Sequence, residues 1–162
     1  MSGYWGNLIQ KIKTKKIGIN WLNIYFEHEK IPNSKSAKKI IRDLGKINSR
    51  DIHVSLETFL NFKIIFKSLK MWIKIFFKSL MIKNSSVLNN KYENILFKIL
   101  EVEFFNNLQN HHSLKNILVY FLMNEAFNII SKQSTCIFPN ENQPWEMALM
   151  NVYKYNFRRN II

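Results

Sequence analysis

Within six consecutive residues, Glu141-Asn142-Gln143-Pro144-Trp145-Glu146, the chain gathers two carboxylates, two amides and an indole. A loop carboxylate can act as general base toward a hydroxyl. Asn142 and Gln143 add donors and acceptors, and Trp145 adds an aromatic face on which a sugar ring can pack. The two carboxylates read differently. Pro144 suits the first position of a helix, where φ is already fixed and no amide hydrogen is wasted. Glu146 then falls at the third helical position, able to reach back to the Gln143 amide and to meet the positive end of the helix dipole. It reads as a cap as well as a binding group, and Trp145 reads equally as a core anchor alongside Ala148, Leu149 and Val152. Glu141 has no such structural duty and is the candidate catalytic base.

These residues need a strand before them and a helix after them. Cys136, Ile137 and Phe138 form a short apolar run of the kind a buried strand shows, ended by Pro139. Glu141 to Gln143 would then sit beyond the strand's carboxyl end, where open α/β sheets bind ligands. Upstream, Trp5 to Thr14 has a short helical pattern, and Ile17 to Phe26, apolar on both alternating faces, predicts a core strand. Pro32 and Asn33 break the chain. Asn33 or Ser34 can cap a helix with Ala37, Ile40, Ile41 and Leu44 on one face, which Gly45 is expected to stop. His53 to Leu56 is either a brief strand or the first turn of a long helix over 57–82. Two more helices are expected, Leu88 to Leu108 and Leu114 to Ser131, the second capped by Ser113, with Ile117, Leu118, Phe121, Leu122 and Ala126 on its apolar face. The pattern is α/β and helix-rich, about one domain in length.

The six residues from Glu141 to Glu146, set between strand and helix, resemble the ENQPWE signature of a family of bacterial surface-carbohydrate (O-antigen type) biosynthesis proteins that look like glycosyltransferases. Tyr4-Trp5-Gly6-Asn7-Leu8, Asn20-Trp21-Leu22 and His53-Val54-Ser55-Leu56-Glu57 resemble that family's earlier segments in the same order, so the similarity covers most of the chain. The resemblance implies a two-Rossmann-domain (GT-B-like) glycosyltransferase. Residues 1–162 would be a partial, Rossmann-like N-terminal domain on the acceptor side, without the C-terminal sugar-nucleotide domain and too short to act alone. It implies a sugar nucleotide and a glycan or lipid-linked acceptor as partners of the full-length protein. Substrate contacts would come from Asn142, Gln143, Trp145, Glu146, Trp5 and Gly6. No separate cofactor is expected.

A second chemistry lies in Lys63, Lys67, Lys70, Lys74 and Lys78, whose spacing confines them to one stripe of the 57–82 helix. Phe59, Phe62, Phe66, Trp72 and Phe76 enrich its apolar surface, while Ser68 and Ser79, opposite the lysines, leave room for another element to approach closely. Such a stripe is either the solvated edge of a packed helix or a membrane-facing one, lying peripherally on an anionic surface. The chain's net charge of +13 fits a polyanionic partner, although abundant Lys, Asn and Ile also reflect AT-rich coding. Nucleic acid is disfavoured, because no aromatic platform alternates with the lysines. His111 and His112 diverge by about 100° on a helix. His28 and His53 lack ligand partners at metal-site spacing, so the histidines read as surface or loop residues and no metal site is expected. Only four glycines occur and none builds a phosphate loop. A single cysteine, Cys136, precludes an internal disulfide and reads as an inert strand residue. With no apolar run of about 18 residues to span a bilayer, a cytoplasmic location is expected, or a peripheral one on the inner face of the cell membrane.

Overall fold

The computed structural model describes residues 6–15, 17–25, 27–47, 51–83, 95–130, 135–138 and 143–156. It is a mixed α/β structure, rich in helix, with a small parallel sheet of two strands among the described residues. Where the length suggests one domain, the chain groups into two compact units. One comprises Met1–Leu60 with Ile137–Glu141, the other Asn61–Cys136 with Asn142–Ile162.

The first unit is a βαβ arrangement preceded by a short helix, α1 (Leu8–Thr14). Gly6, before α1, has φ +45, a left-handed conformation that glycine adopts without a Cβ penalty, so the backbone alone accounts for its identity. β1 (Asn20–Asn23) pairs in parallel with β2 (Ile52–Ser55), with Trp21 opposite His53 and Leu22 opposite Val54. Parallel strands need a crossover, which α2 (Ser34–Ile47) supplies while packing against β2. β1 is shorter than the expected Ile17 to Phe26 strand. The ladder ends at Asn23, whose side-chain amide donates to Val54 O at 3.2 Å and to Trp21 O at 3.3 Å. Asn33 is the α2 cap, accepting from Ser36 N at 2.9 Å. Gly45 does not stop the helix. A glycine inside a helix costs about 1 kcal/mol relative to alanine, and α2 runs on to Ile47.

His53 to Leu56 resolves as the strand β2, ending at Ser55 in a tight 3-10 turn over Leu56–Phe59, with Leu56 buried. The helix expected over 57–82 therefore begins only at Phe62. Leu60 is extended (φ -67, ψ 123) and Asn61 caps the new helix by accepting from Ile64 N at 3.0 Å. Tertiary bonding explains the break. Glu57 accepts from Tyr25 N at 3.2 Å and from Ser55 Oγ, which ties the turn to the neighbouring chain instead of to the helix.

The second unit is a bundle of helices α3 (Phe62–Lys83), α4 (Ile95–Gln109), α5 (His111–Ile129) and α6 (Pro144–Asn156). α5 packs against the other three. Its Ile117, Leu122, Met123 and Ala126 are buried, together with Ile64, Phe105, Leu149 and Val152 from the helices around it. Leu118 and Phe121, also expected inward, are half-buried. Residues 88–94 of the helix expected over Leu88 to Leu108 lie outside the described residues. α5 starts earlier than expected because Asn110, not Ser113, is the cap: its side chain accepts from Ser113 N at 3.1 Å. Ser68 and Ser79 are buried to 1% exposure, as their position opposite the lysines suggests. Ser79 Oγ also accepts from Gln109 Nε2 at 2.9 Å, joining α3 to α4.

Residues 135–138 are not a strand. Ile137 is half exposed, and a strand depends on pairing with another part of the chain, which a run of three apolar residues does not specify by itself.

Candidate functional site

The helix-start half of the ENQPWE stretch folds as its chemistry requires. Pro144 is the first residue of α6. Gln143 N donates to Glu146 Oε1 at 3.2 Å, and Glu146 N donates to Gln143 O at 3.0 Å, so the two residues close a reciprocal cap. Glu146 is 3% exposed and lies beside the α6 N-terminus, where a negative charge meets the positive end of the helix dipole. Trp145 is half-buried, with Leu149 and Val152 buried on the same helix, so the indole has a packing role. Gln143 is exposed. Glu141, Asn142 and Trp5 lie outside the described residues. Cys136 is half-buried, and burial pushes its thiol pKa up, away from the reactive thiolate.

The five lysines of α3 are all exposed. Each follows an exposed apolar residue: Phe62, Phe66, Leu69, Ile73 and Phe77. At about 100° per residue the apolar row runs alongside the lysine row. The aromatic surface therefore flanks the charges, where the sequence pattern suggested that it faces away from them. Phe62 is 91% exposed and Phe66 71%.

A third arrangement escaped sequence reasoning. In the first unit, an open cleft of about 620 Å³ is lined by Lys38 and Arg42 of α2, His53 and Ser55 of β2, and Glu57 and Thr58 of the turn that follows. Lys38 and Arg42 stand one helical turn apart, and among the described residues neither makes an ion pair. Glu57 is held in place by the Tyr25 amide and the Ser55 hydroxyl. His53 is neither a loop nor a fully exposed residue. Its ring stacks on Trp21 with centroids 5.7 Å apart and planes 6° from parallel, and its Nδ1 is shielded from solvent without a hydrogen-bond partner among the described residues. The legible signal was the i, i+4 pair of cations on a helix, combined with a histidine and a glutamate around a strand end. Packing of α2 against β2 is what unites them. His28, in contrast, is exposed at a turn closed by reciprocal bonds with Ile31. The His111 and His112 rings lie close, with centroids 3.9 Å apart.

Burial lowers the His53 pKa below the ordinary histidine value. Asp51 opposes the shift and Lys13, paired with Asp51 at 3.5 Å, adds to it. The folded imidazole thus binds its proton less tightly than the unfolded one. Its contribution to stability is complete above the unfolded pKa of about 6.5 and is lost as pH falls toward the lowered folded value. His53→Phe keeps an aromatic ring against Trp21 and removes the titration. Melting curves between about pH 7 and 5 should show a shallower acid loss in the variant, and equal slopes would remove His53 from the acid response.

No protein-family model, curated protein or solved structure matches the chain.

Proposed function

We propose that this chain is the acceptor-side, Rossmann-like part of a glycosyltransferase-like protein of bacterial surface-carbohydrate assembly. The observation that carries the reading is the Gln143-Pro144-Trp145-Glu146 corner. Its reciprocal cap commits Glu146 to ordering the start of α6, and of the two carboxylates in the signature leaves Glu141 for chemistry. The parallel βαβ arrangement of the first unit is compatible with a Rossmann-like domain, and its Trp21 and His53 belong to the earlier segments of the resemblance. In this reading Glu141 deprotonates the acceptor hydroxyl, Asn142 and Gln143 orient hydroxyls, and Trp145 backs the sugar. A sugar nucleotide supplies the transferred sugar, and a glycan or lipid-linked acceptor receives it. The deciding measurement is sugar transfer by a protein carrying these six residues with Glu141 replaced by Gln. An unchanged rate would overturn the assignment.

The rows on α3 favour a second reading, attachment to an anionic membrane surface. Exposed aromatic side chains beside lysines suit a bilayer interface, each cation adding up to about 1 kcal/mol at low salt. No helix among the described residues is long and apolar enough to cross a membrane. Co-sedimentation with anionic vesicles should fall as salt rises, and should drop by up to about fivefold for each Lys→Gln change at Lys63, Lys67, Lys70, Lys74 or Lys78. Equal sedimentation with neutral vesicles would remove the electrostatic part.

A further inference from the structure

The cleft of the first unit is separate in sequence from the ENQPWE stretch and has its own chemistry. Lys38 and Arg42 bring two cations to one wall, and the His53 ring lines the same cleft. The cleft also includes the last residue of β2, and ligands of open α/β units bind outside the carboxyl ends of parallel strands.

We propose that this cleft binds the phosphoryl group of a small soluble phosphomonoester, with Lys38 and Arg42 as its charge partners and His53 as a third hydrogen-bonding group. The inference does not rest on the carbohydrate reading. An arginine fork and a lysine ammonium are the groups proteins use against phosphate oxygens, and an anion with three terminal oxygens can engage three such groups where a carboxylate engages two. Glu57 limits the charge that the cleft accepts. Fixed by the Tyr25 amide and the Ser55 hydroxyl, it repels a second phosphoryl group, which favours a monoester over a diphosphate. A volume of about 620 Å³ accommodates a small organic portion as well as the phosphoryl group. The Thr58 hydroxyl is placed to meet polar atoms of that portion.

The test is titration of the intact chain with glycerol phosphate at constant ionic strength, following the histidine ring signals by NMR. The signals of His53 should move along a saturable curve while those of His28, exposed outside the cleft, stay put. Glycerol should have no effect, and pyrophosphate should bind no more tightly than glycerol phosphate. Lys38→Gln with Arg42→Gln should weaken binding by about tenfold or more, the scale of losing charge-assisted hydrogen bonds. Both side chains are exposed on α2, so the fold should tolerate their replacement. Lys74→Gln with Lys78→Gln removes the same charge from α3, outside the cleft lining, and should leave the curve within about twofold, because charges that make no direct bond to the ligand are weakened by solvent and salt. Equal weakening by both pairs, a parallel response of His28, or no saturation would overturn the proposal. So would a His53 response to phosphatidate vesicles without one to glycerol phosphate, which would assign the phosphoryl chemistry to a lipid headgroup.

Discussion

Replacing Glu141 by Gln in a longer protein that carries the same six residues is expected to cut sugar transfer by roughly 10²-fold or more, the usual scale for losing a general base. Binding of the sugar nucleotide should survive, because glutamine keeps the size and the hydrogen-bonding reach of the side chain. The expectation comes from the asymmetry between the two carboxylates of the signature. Glu146 accepts from Gln143 N and is 3% exposed, so a structural role accounts for it. Glu146→Gln retains an acceptor at the cap and should be milder in transfer. Glu146→Ala should lower stability by about 1 kcal/mol, as cap losses do. Transfer rates and melting curves for these variants separate chemistry from loop order. Full transfer by Glu141→Gln would leave the signature as a loop-to-helix corner without catalytic work at that position.

Ser79→Leu is expected to destabilise the second unit by about 2 to 4 kcal/mol. The site is 1% exposed, so a larger side chain would force apart helices that approach closely there, an overpacking cost of about 1 to 3 kcal/mol. The same change removes the acceptor of Gln109 Nε2, leaving a part-buried amide short of a partner, for about another 1 kcal/mol. Ser79→Ala isolates the hydrogen bond and should cost only about 1 kcal/mol. Chemical denaturation of the two variants is the measurement. Wild-type stability in Ser79→Leu would mean that the contact between α3 and α4 yields without cost.

Both stretches were legible because their logic is local. The start of α6 is fixed by Pro144 and by a glutamate three residues after Gln143, a relation within one helical turn. Ser68 and Ser79 stand out because they are small polar residues on the helix side away from the lysines, and a helix's period is enough to place them there. The cleft was not legible in the same way. Lys38 and Arg42 are separated from His53 and Glu57 by the rest of α2 and its connection to β2, and only the packing of α2 against β2 brings them to one cleft. Glu57 was read as the first turn of a helix. Its distant bond to the Tyr25 amide is what makes it part of a turn.

The sequence by itself determined the approximate positions of the helices, the Asn33 cap of α2, the small-residue side of α3 and the reciprocal cap at Gln143 and Glu146, but not the caps at Asn61 and Asn110. Helical period and capping act over three or four residues, so composition and spacing suffice for them. Tertiary structure decided which apolar runs became strands. His53 to Leu56 gained a ladder at Ile52–Ser55 because β1 lies beside it, whereas Cys136 to Phe138 remained outside any strand. A strand's backbone hydrogen bonds are made to another part of the chain, so no short segment carries the information alone. The same dependence set the exposure of α3. The sequence placed the lysines in one row, but packing of the Ile64, Ser68 and Ser79 side determined that Phe62, Phe66 and Phe77 stand exposed beside them.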